Sequence, residues 1–186
     1  TGASNTAVGR HALRLNTTGC RNTAVGMESL YSNTSGENNV AMGQSALEAN
    51  TTGDCNVALG EKALDANTTA CYNTAIGAAA LSANTTGSAN VAVGYYSLYA
   101  TTTGTGNVAA GVQAGDSVTE GLDNTLIGDH AGHTVTTGDN NVIIGHNAGT
   151  DAVRDVTTGD SNIVIGNNSS ATAHIKIDWT VTSDER

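Results

Sequence analysis

The sequence predicts an all-β fold: a parallel β-solenoid, or β-roll, of ten coils of ~17 residues packed as a homotrimer. Three observations carry this expectation. A short motif recurs at a fixed interval, its residues alternate with period two, and the chain has no proline. The motif Asn-[Thr/Val/Ile]-x-x-Gly begins at Asn5, Asn22, Asn39, Asn56, Asn73, Asn90, Asn107, Asn124 and Asn141, each step being 17 residues. A tenth copy begins at Asn162 after a step of 21, so four residues are inserted before it. Helical-hairpin repeats need about 34 residues and leucine-rich repeats at least about 20, which leaves a coil built around one strand. Stacking ten coils at the strand spacing of about 4.8 Å gives a rod of roughly 48 Å.

Each element of the unit N-[TV]-A-[VIML]-G-x-x-[AS]-L-x-x-N-T-T-G-x-x has a physical reason, with positions counted from the motif Asn. The first five residues alternate as a strand does. The motif Asn is expected to stack as a ladder, each amide bonding the amide of the next coil. The Gly at position 5 suits a corner where φ is positive and a Cβ would clash. Asn-Thr-Thr-Gly has turn chemistry. Proline would remove a ladder hydrogen bond in every coil, so its absence fits.

Two columns exchange volume. Position 3 is Ala7, Ala24, Ala41, Ala58, Ala75, Ala92 and Ala109, then Leu126, Ile143 and Val164. Position 9 is Leu13, Leu30, Leu47, Leu64, Leu81 and Leu98, then Gly115, Gly132 and Gly149. Close-packed interiors respond to single methylenes, so the two columns are expected to touch. Coil seven, small at both positions, is expected to be the loosest layer. Positions 2 and 4 point to the opposite face of the strand and are also apolar or β-branched, as in Val91/Val93 and Val142/Ile144. A strand apolar on both faces is buried on both, and a narrow coil covers only one. The continuous stripe therefore calls for a partner chain.

Composition narrows function. Lys+Arg number 7 against Asp+Glu 17, a net charge of −10, which opposes non-specific nucleic-acid binding. No apolar run approaches the roughly 18 residues of a membrane span, so no membrane insertion is expected. The chain opens within the pattern at Thr1 and reads as a piece of a longer protein. Cys20, Cys55 and Cys71 are irregularly spaced, and free thiols formed in a reducing cytosol are the expected state. Residues 1–93 carry 4 basic and 6 acidic residues and residues 94–186 carry 3 and 11, which marks the C-terminal half as the ligand-facing end.

Two resemblances follow. The repeated Asn-[Thr/Val]-Ala-[Val/Ile]-Gly strand over residues 1–166 resembles the head repeats of trimeric autotransporter adhesins, parallel β-rolls packed three around an axis. The period of 17 is longer than theirs, so the roll should be wider. The segment Trp179-Thr180-Val181-Thr182-Ser183-Asp184-Glu185-Arg186 resembles the junction before the intramolecular chaperone domain of phage tail fibres and endosialidases. In that family the chaperone trimerises, guides folding and releases itself at a Ser–Asp bond, which here would be Ser183–Asp184. The resemblance divides the chain into a solenoid domain at 1–166, a capping strand segment at 167–183, and the start of a chaperone domain at 184–186. It implies a rigid trimeric rod of a phage tail fibre, assembled in host cytoplasm and carried on the virion, which attaches to a host-surface polysaccharide or protein. No cofactor and no catalysis beyond the junction are implied. The head of a bacterial trimeric adhesin is the alternative. An ice-binding solenoid and a polysaccharide depolymerase are further ones.

Candidate receptor contacts are Tyr95, Tyr96 and Tyr99, the densest aromatic group, with Asp151 and Arg154 in the inserted segment and Trp179 near the end. His130, His133, His146 and His174 with Asp129 and Asp139 raise the question of a metal. Asp129 and His146 share one coil position while His130 and His133 occupy others, so no regular ligand column forms and no metal is expected. Asp54, Asp139 and Asp160 follow Thr-Thr-Gly but lack a regular Asp-rich calcium pattern and read as solvated turns. The sequons at Asn16, Asn33, Asn50, Asn67 and Asn84 are the repeat's own turn, and Asn168 adds a sixth.

Overall fold

The computed structural model describes residues 2–150 and 156–167, and among these it contains ten strands and no helix. The strands are β1 (Thr6–Val8), β2 (Thr23–Val25), β3 (Val40–Met42), β4 (Val57–Leu59), β5 (Thr74–Ile76), β6 (Val91–Val93), β7 (Val108–Ala110), β8 (Thr125–Ile127), β9 (Val142–Ile144) and β10 (Ile163–Ile165). They form one parallel sheet in sequence order, and each coil contributes one strand. Registry is unbroken. Thr23 pairs with Val40, Ala24 with Ala41 and Val25 with Met42, and the pattern continues to Ile165 on Ile144. The register therefore holds across the 21-residue step from Asn141 to Asn162. Backbone bonds tie every coil to the next, as in Val40 N–H to Asn56 O at 2.8 Å and Gly60 N–H to Met42 O at 2.8 Å.

The core is a narrow file of stacked columns. Position 3 is fully buried from Ala24 to Ile143, and so is position 9 from Leu30 to Leu98. Position 8 adds Ala46, Ala63, Ala80, Ala114, Ala131 and Ala148. The two exchanging columns do meet. A Cβ on Gly132 would lie 2.7 Å from Leu126 Cδ2, and one on Gly149 would lie 3.1 Å from Ile143 Cδ1. Coil seven is not a loose layer, contrary to expectation. A Cβ on Gly115 would lie 2.4 Å from Leu126 Cδ1 and 3.1 Å from Leu98 Cδ2, so side chains from both neighbouring coils fill the space. Val118 supplies the rest at 3.4 Å.

Val118 belongs to a fourth core column, position 12, which turn chemistry alone does not anticipate. It runs Asn33, Asn50, Asn67, Asn84, Thr101, Val118, Val135 and Val156, all buried. In the first coils this column is an amide ladder: Asn33 Nδ2 donates to Asn16 Oδ1 at 2.9 Å, Asn50 to Asn33 at 2.9 Å, Asn67 to Asn50 at 2.8 Å and Asn84 to Asn67 at 3.1 Å. Each amide also caps its own turn, as in Asn50 Nδ2 to Gly53 O at 3.0 Å. The ladder stops where Thr101 follows, because its hydroxyl donates onward to Val118 O at 3.0 Å. Asn84 Oδ1 is left buried without a partner. Beyond that point valine replaces asparagine in this column, while the motif Asn column stays buried through Asn107, Asn124 and Asn141.

The motif Asn column is built differently from the expected amide-to-amide ladder. Its oxygen accepts the backbone N–H of the next motif Asn, as in Asn39 N–H to Asn22 Oδ1 at 2.9 Å. Its Nδ2 closes its own coil on the position 15 carbonyl, as in Asn39 Nδ2 to Gly53 O at 2.8 Å. Direct amide pairs accompany this at some coils, such as Asn124 to Asn107 at 3.0 Å. Both roles need a side chain that donates and accepts at once, which explains why no other residue replaces Asn.

Corners are made by left-handed backbone. Gly60 has φ 141°, and a Cβ there would stand 2.5 Å from Gly77 O. Less expected is the leucine at position 9, whose φ lies between 49° and 53° in all six coils that carry it. Such a conformation costs an L-residue roughly 1–2 kcal/mol. Burial of an entire Leu side chain offsets it by roughly 1.5–3 kcal/mol. Gly115, Gly132 and Gly149 hold the same conformation without that cost, at φ 60°, 65° and 73°.

Candidate functional site

Three surfaces emerge from this frame. The first is the outer face of the sheet. Positions 2 and 4 of each strand turn away from the core and remain partly or largely exposed. Val93 and Ile144 are 39% and 37% exposed, and Ile127 is 41% exposed. In-register stacking makes position 4 an apolar file from Val8 to Ile165, with Val, Ile or Thr (Thr6, Thr23, Thr74, Thr125) beside it at position 2 and no charged residue at either position.

The second is the tyrosine group on coil six. Tyr95 and Tyr96 occupy positions 6 and 7, and Tyr99 position 10. Tyr96 and Tyr99 stack with centroids 4.5 Å apart and planes within 24°, and Tyr95 packs against Tyr96 at 4.3 Å with its ring tilted by 50°. Tyr96 has φ 57°, the left-handed backbone shared by position 7 from His11 to Asn147. A side-chain hydrogen bond with Tyr95, then the charge of Tyr95 itself, raises the Tyr96 phenol above its ordinary value of 10.0. Beside the rings lies a cleft of about 230 Å³ lined by Glu61, Lys62, Ala78, Ala79, Tyr95 and Tyr96.

The third is a histidine–aspartate group on coils seven to nine. Asp129 lies between two histidines, 3.2 Å from His130 Nδ1 and 3.3 Å from His146 Nε2. His133 Nδ1 stands 2.5 Å from Asp116 Oδ1, one coil away at the same position. Among the described residues no three of these groups converge on one point that would hold a metal ion.

The remaining sequence features find structural roles. Position 16 carries small polar side chains that accept the amide of the preceding coil: Asp54 for Glu37 at 2.7 Å, Asp139 for Leu122 at 2.7 Å and Asp160 for Asp139 at 2.8 Å. Cys20 and Cys71 fill the same place, with Sγ 3.3 Å from Ala3 N and 3.2 Å from Asp54 N. All three cysteines are free. Asn33, Asn50, Asn67 and Asn84 are buried ladder members, so four of the sequons cannot be reached by a glycan-transferring enzyme. From Thr17 to Thr136 the first threonine of the turn donates its hydroxyl to backbone of the next coil, as in Thr51 Oγ1 to Thr68 O at 3.0 Å, and the residue after it is exposed. Asp151, Arg154, Trp179, His174, Asn168 and the Ser183–Asp184 junction lie outside the described residues, as do the capping strand and the last three residues. No protein family, no curated protein and no solved structure matches the chain.

Proposed function

We propose that this chain is the rod of a phage tail fibre, associating as a homotrimer and carrying attachment to a host-cell surface receptor. The observation that carries the proposal is the apolar sheet face. A monomer would leave in water a file of Val, Met, Leu and Ile at position 4 of nine strands, with Ala110 in the other, flanked by Val, Ile or Thr at position 2. Soluble monomers rarely tolerate an apolar patch beyond a few hundred Å². A threefold arrangement about an axis along the rod brings the same face of every copy inward, and the unbroken register keeps every coil level with its symmetry mates. The Ser183–Asp184 resemblance supports the fibre reading over the adhesin head. The occupied threonine hydroxyls speak against an ice-binding array. The rod itself holds the attachment surface and performs no chemistry.

Charging the stripe tests this. Val93→Glu with Ile127→Glu places two carboxylates on a face that a trimer would bury. The expected result is a smaller species by gel filtration with the same far-ultraviolet circular dichroism. An unchanged elution volume with unchanged circular dichroism would contradict the proposal.

A further inference from the structure

The cleft beside the tyrosines arises from a change in side-chain size along two columns. Positions 6 and 7 are Glu61 and Lys62 on coil four, Ala78 and Ala79 on coil five, and Tyr95 and Tyr96 on coil six. Two methyl side chains thus lie between two walls of long ones. With coils about 4.8 Å apart, the walls stand about 10 Å from each other, centre to centre. After the thickness of the wall side chains is subtracted, one flat ring fits between them. One wall is aromatic, with Tyr95 half exposed at 52%. The other offers a carboxylate and an ammonium, one acceptor group and one donor group.

We propose that this notch, formed by Glu61, Lys62, Ala78, Ala79, Tyr95 and Tyr96, binds one neutral pyranose unit of a glycan. A sugar ring has an apolar C–H face and a polar rim. The apolar face suits the tyrosine wall, and the rim suits Glu61, Lys62 and the tyrosine hydroxyls. Charge selects among sugars. Glu61 at the mouth and the chain's net charge of −10 oppose an acidic sugar. Lys62 opposes a cationic ligand, which an aromatic wall would otherwise attract. The aromatic investment is concentrated, since three of the chain's five tyrosines lie within Tyr95–Tyr99. Tyr99 does not line the notch but stacks behind Tyr96 and holds its ring in place.

This inference deepens the attachment reading by naming a ligand class and a place, and it does not require the trimer. The probes are the methyl glycosides of glucose, galactose, mannose and N-acetylglucosamine, with methyl glucuronide as the anionic control, observed by saturation-transfer NMR on the full chain. At least one neutral glycoside is expected to receive saturation, and the glucuronide none. Tyr95→Ala should weaken that binding about tenfold, the order expected for one lost stacking partner. Ala78→Met should abolish it by filling the notch while leaving every tyrosine in place. Met27 already occupies that coil position, so the variant is expected to fold. Saturation of no neutral glycoside, equal saturation of the glucuronide, or binding unchanged in both variants would overturn the proposal. Light scattering on the same sample separates the two readings. A monomer that binds overturns the trimer alone, and a trimer that does not bind overturns the notch alone.

Discussion

The volume exchange in the core yields a quantitative prediction. Gly132 is left-handed at φ 65°, and a Cβ there would lie 2.7 Å from the Leu126 Cδ2 methyl. Gly132→Ala therefore adds two costs: about 1 kcal/mol for a left-handed L-residue, and about 1–2 kcal/mol for forcing the Leu126 side chain aside in a packed core. Leu126→Ala alone should cost about 3–5 kcal/mol, because Leu126 is fully buried and its methyls reach Gly115 and Gly132 on two coils. In the Leu126→Ala background the clash disappears, and Gly132→Ala should cost only its backbone strain. The double-mutant coupling is then about 1–2 kcal/mol in the favourable sense. The assay is urea unfolding of the four proteins at one fixed protomer concentration, since association shifts apparent stability by mass action. Additive costs within about 0.4 kcal/mol would refute the claim that these columns share one space.

Other outcomes follow from the same geometry. A Cβ on Gly60 or Gly53 would stand equally close to a backbone carbonyl, 2.5 Å from Gly77 O and 2.4 Å from Ala70 O, so the two differ in φ, and Gly60→Ala at φ 141° should cost about 1–2 kcal/mol more than Gly53→Ala. At Gly53 φ is ordinary, and Ala70 already stands at the same coil position, buried; thermal melts of the two variants compare them directly. Asn67→Val should cost about 1–3 kcal/mol despite adding apolar surface, because it strands Asn50 Oδ1 in the core; Val135→Ile, beyond the ladder, should cost far less by the same urea titration. Ultraviolet titration at the phenolate band should show Tyr96 ionising above 10.0, with the shift smaller in Tyr95→Phe, which removes its first cause. A raised folded value means that this group's contribution to stability is complete below pH 10.0 and is lost as pH rises through the folded value.

The repeat was legible because ten copies of one motif place every strand and fix the period, and because alternation separates the inward position 3 from the outward positions 2 and 4. The Ala/Leu exchange made one core contact readable from volume alone. What stayed hidden was the column at position 12. Asn50 in Asn-Thr-Thr-Gly reads as a turn residue, and it does cap a turn through Gly53 O, but the same amide also runs an internal ladder. Only the later replacement by Val118, Val135 and Val156 betrays that the position faces the core. The left-handed leucines were illegible for a different reason. Leu has no preference for that conformation, and the burial that compensates for it depends on the closed coil. Cys20 and Cys71 looked irregular because the spacing of 51 residues between them is three coils, which becomes meaningful only when position 16 is seen as a file of amide acceptors. Of the attachment surface, the tyrosines were visible in sequence. The notch beside them was not, since it requires Ala78 and Ala79 to be read down the coil axis rather than along the chain.

The outward apolar stripe is where the fold meets the proposed function, and the solution mass of the wild-type chain tests it most directly. Multi-angle light scattering under reducing conditions should return three times the 18.6 kDa chain mass at micromolar concentration, with no change on removing the reductant because the three cysteines stay free. A folded species at 18.6 kDa would mean that the sheet face stands in water without a partner, and would contradict the trimeric fibre.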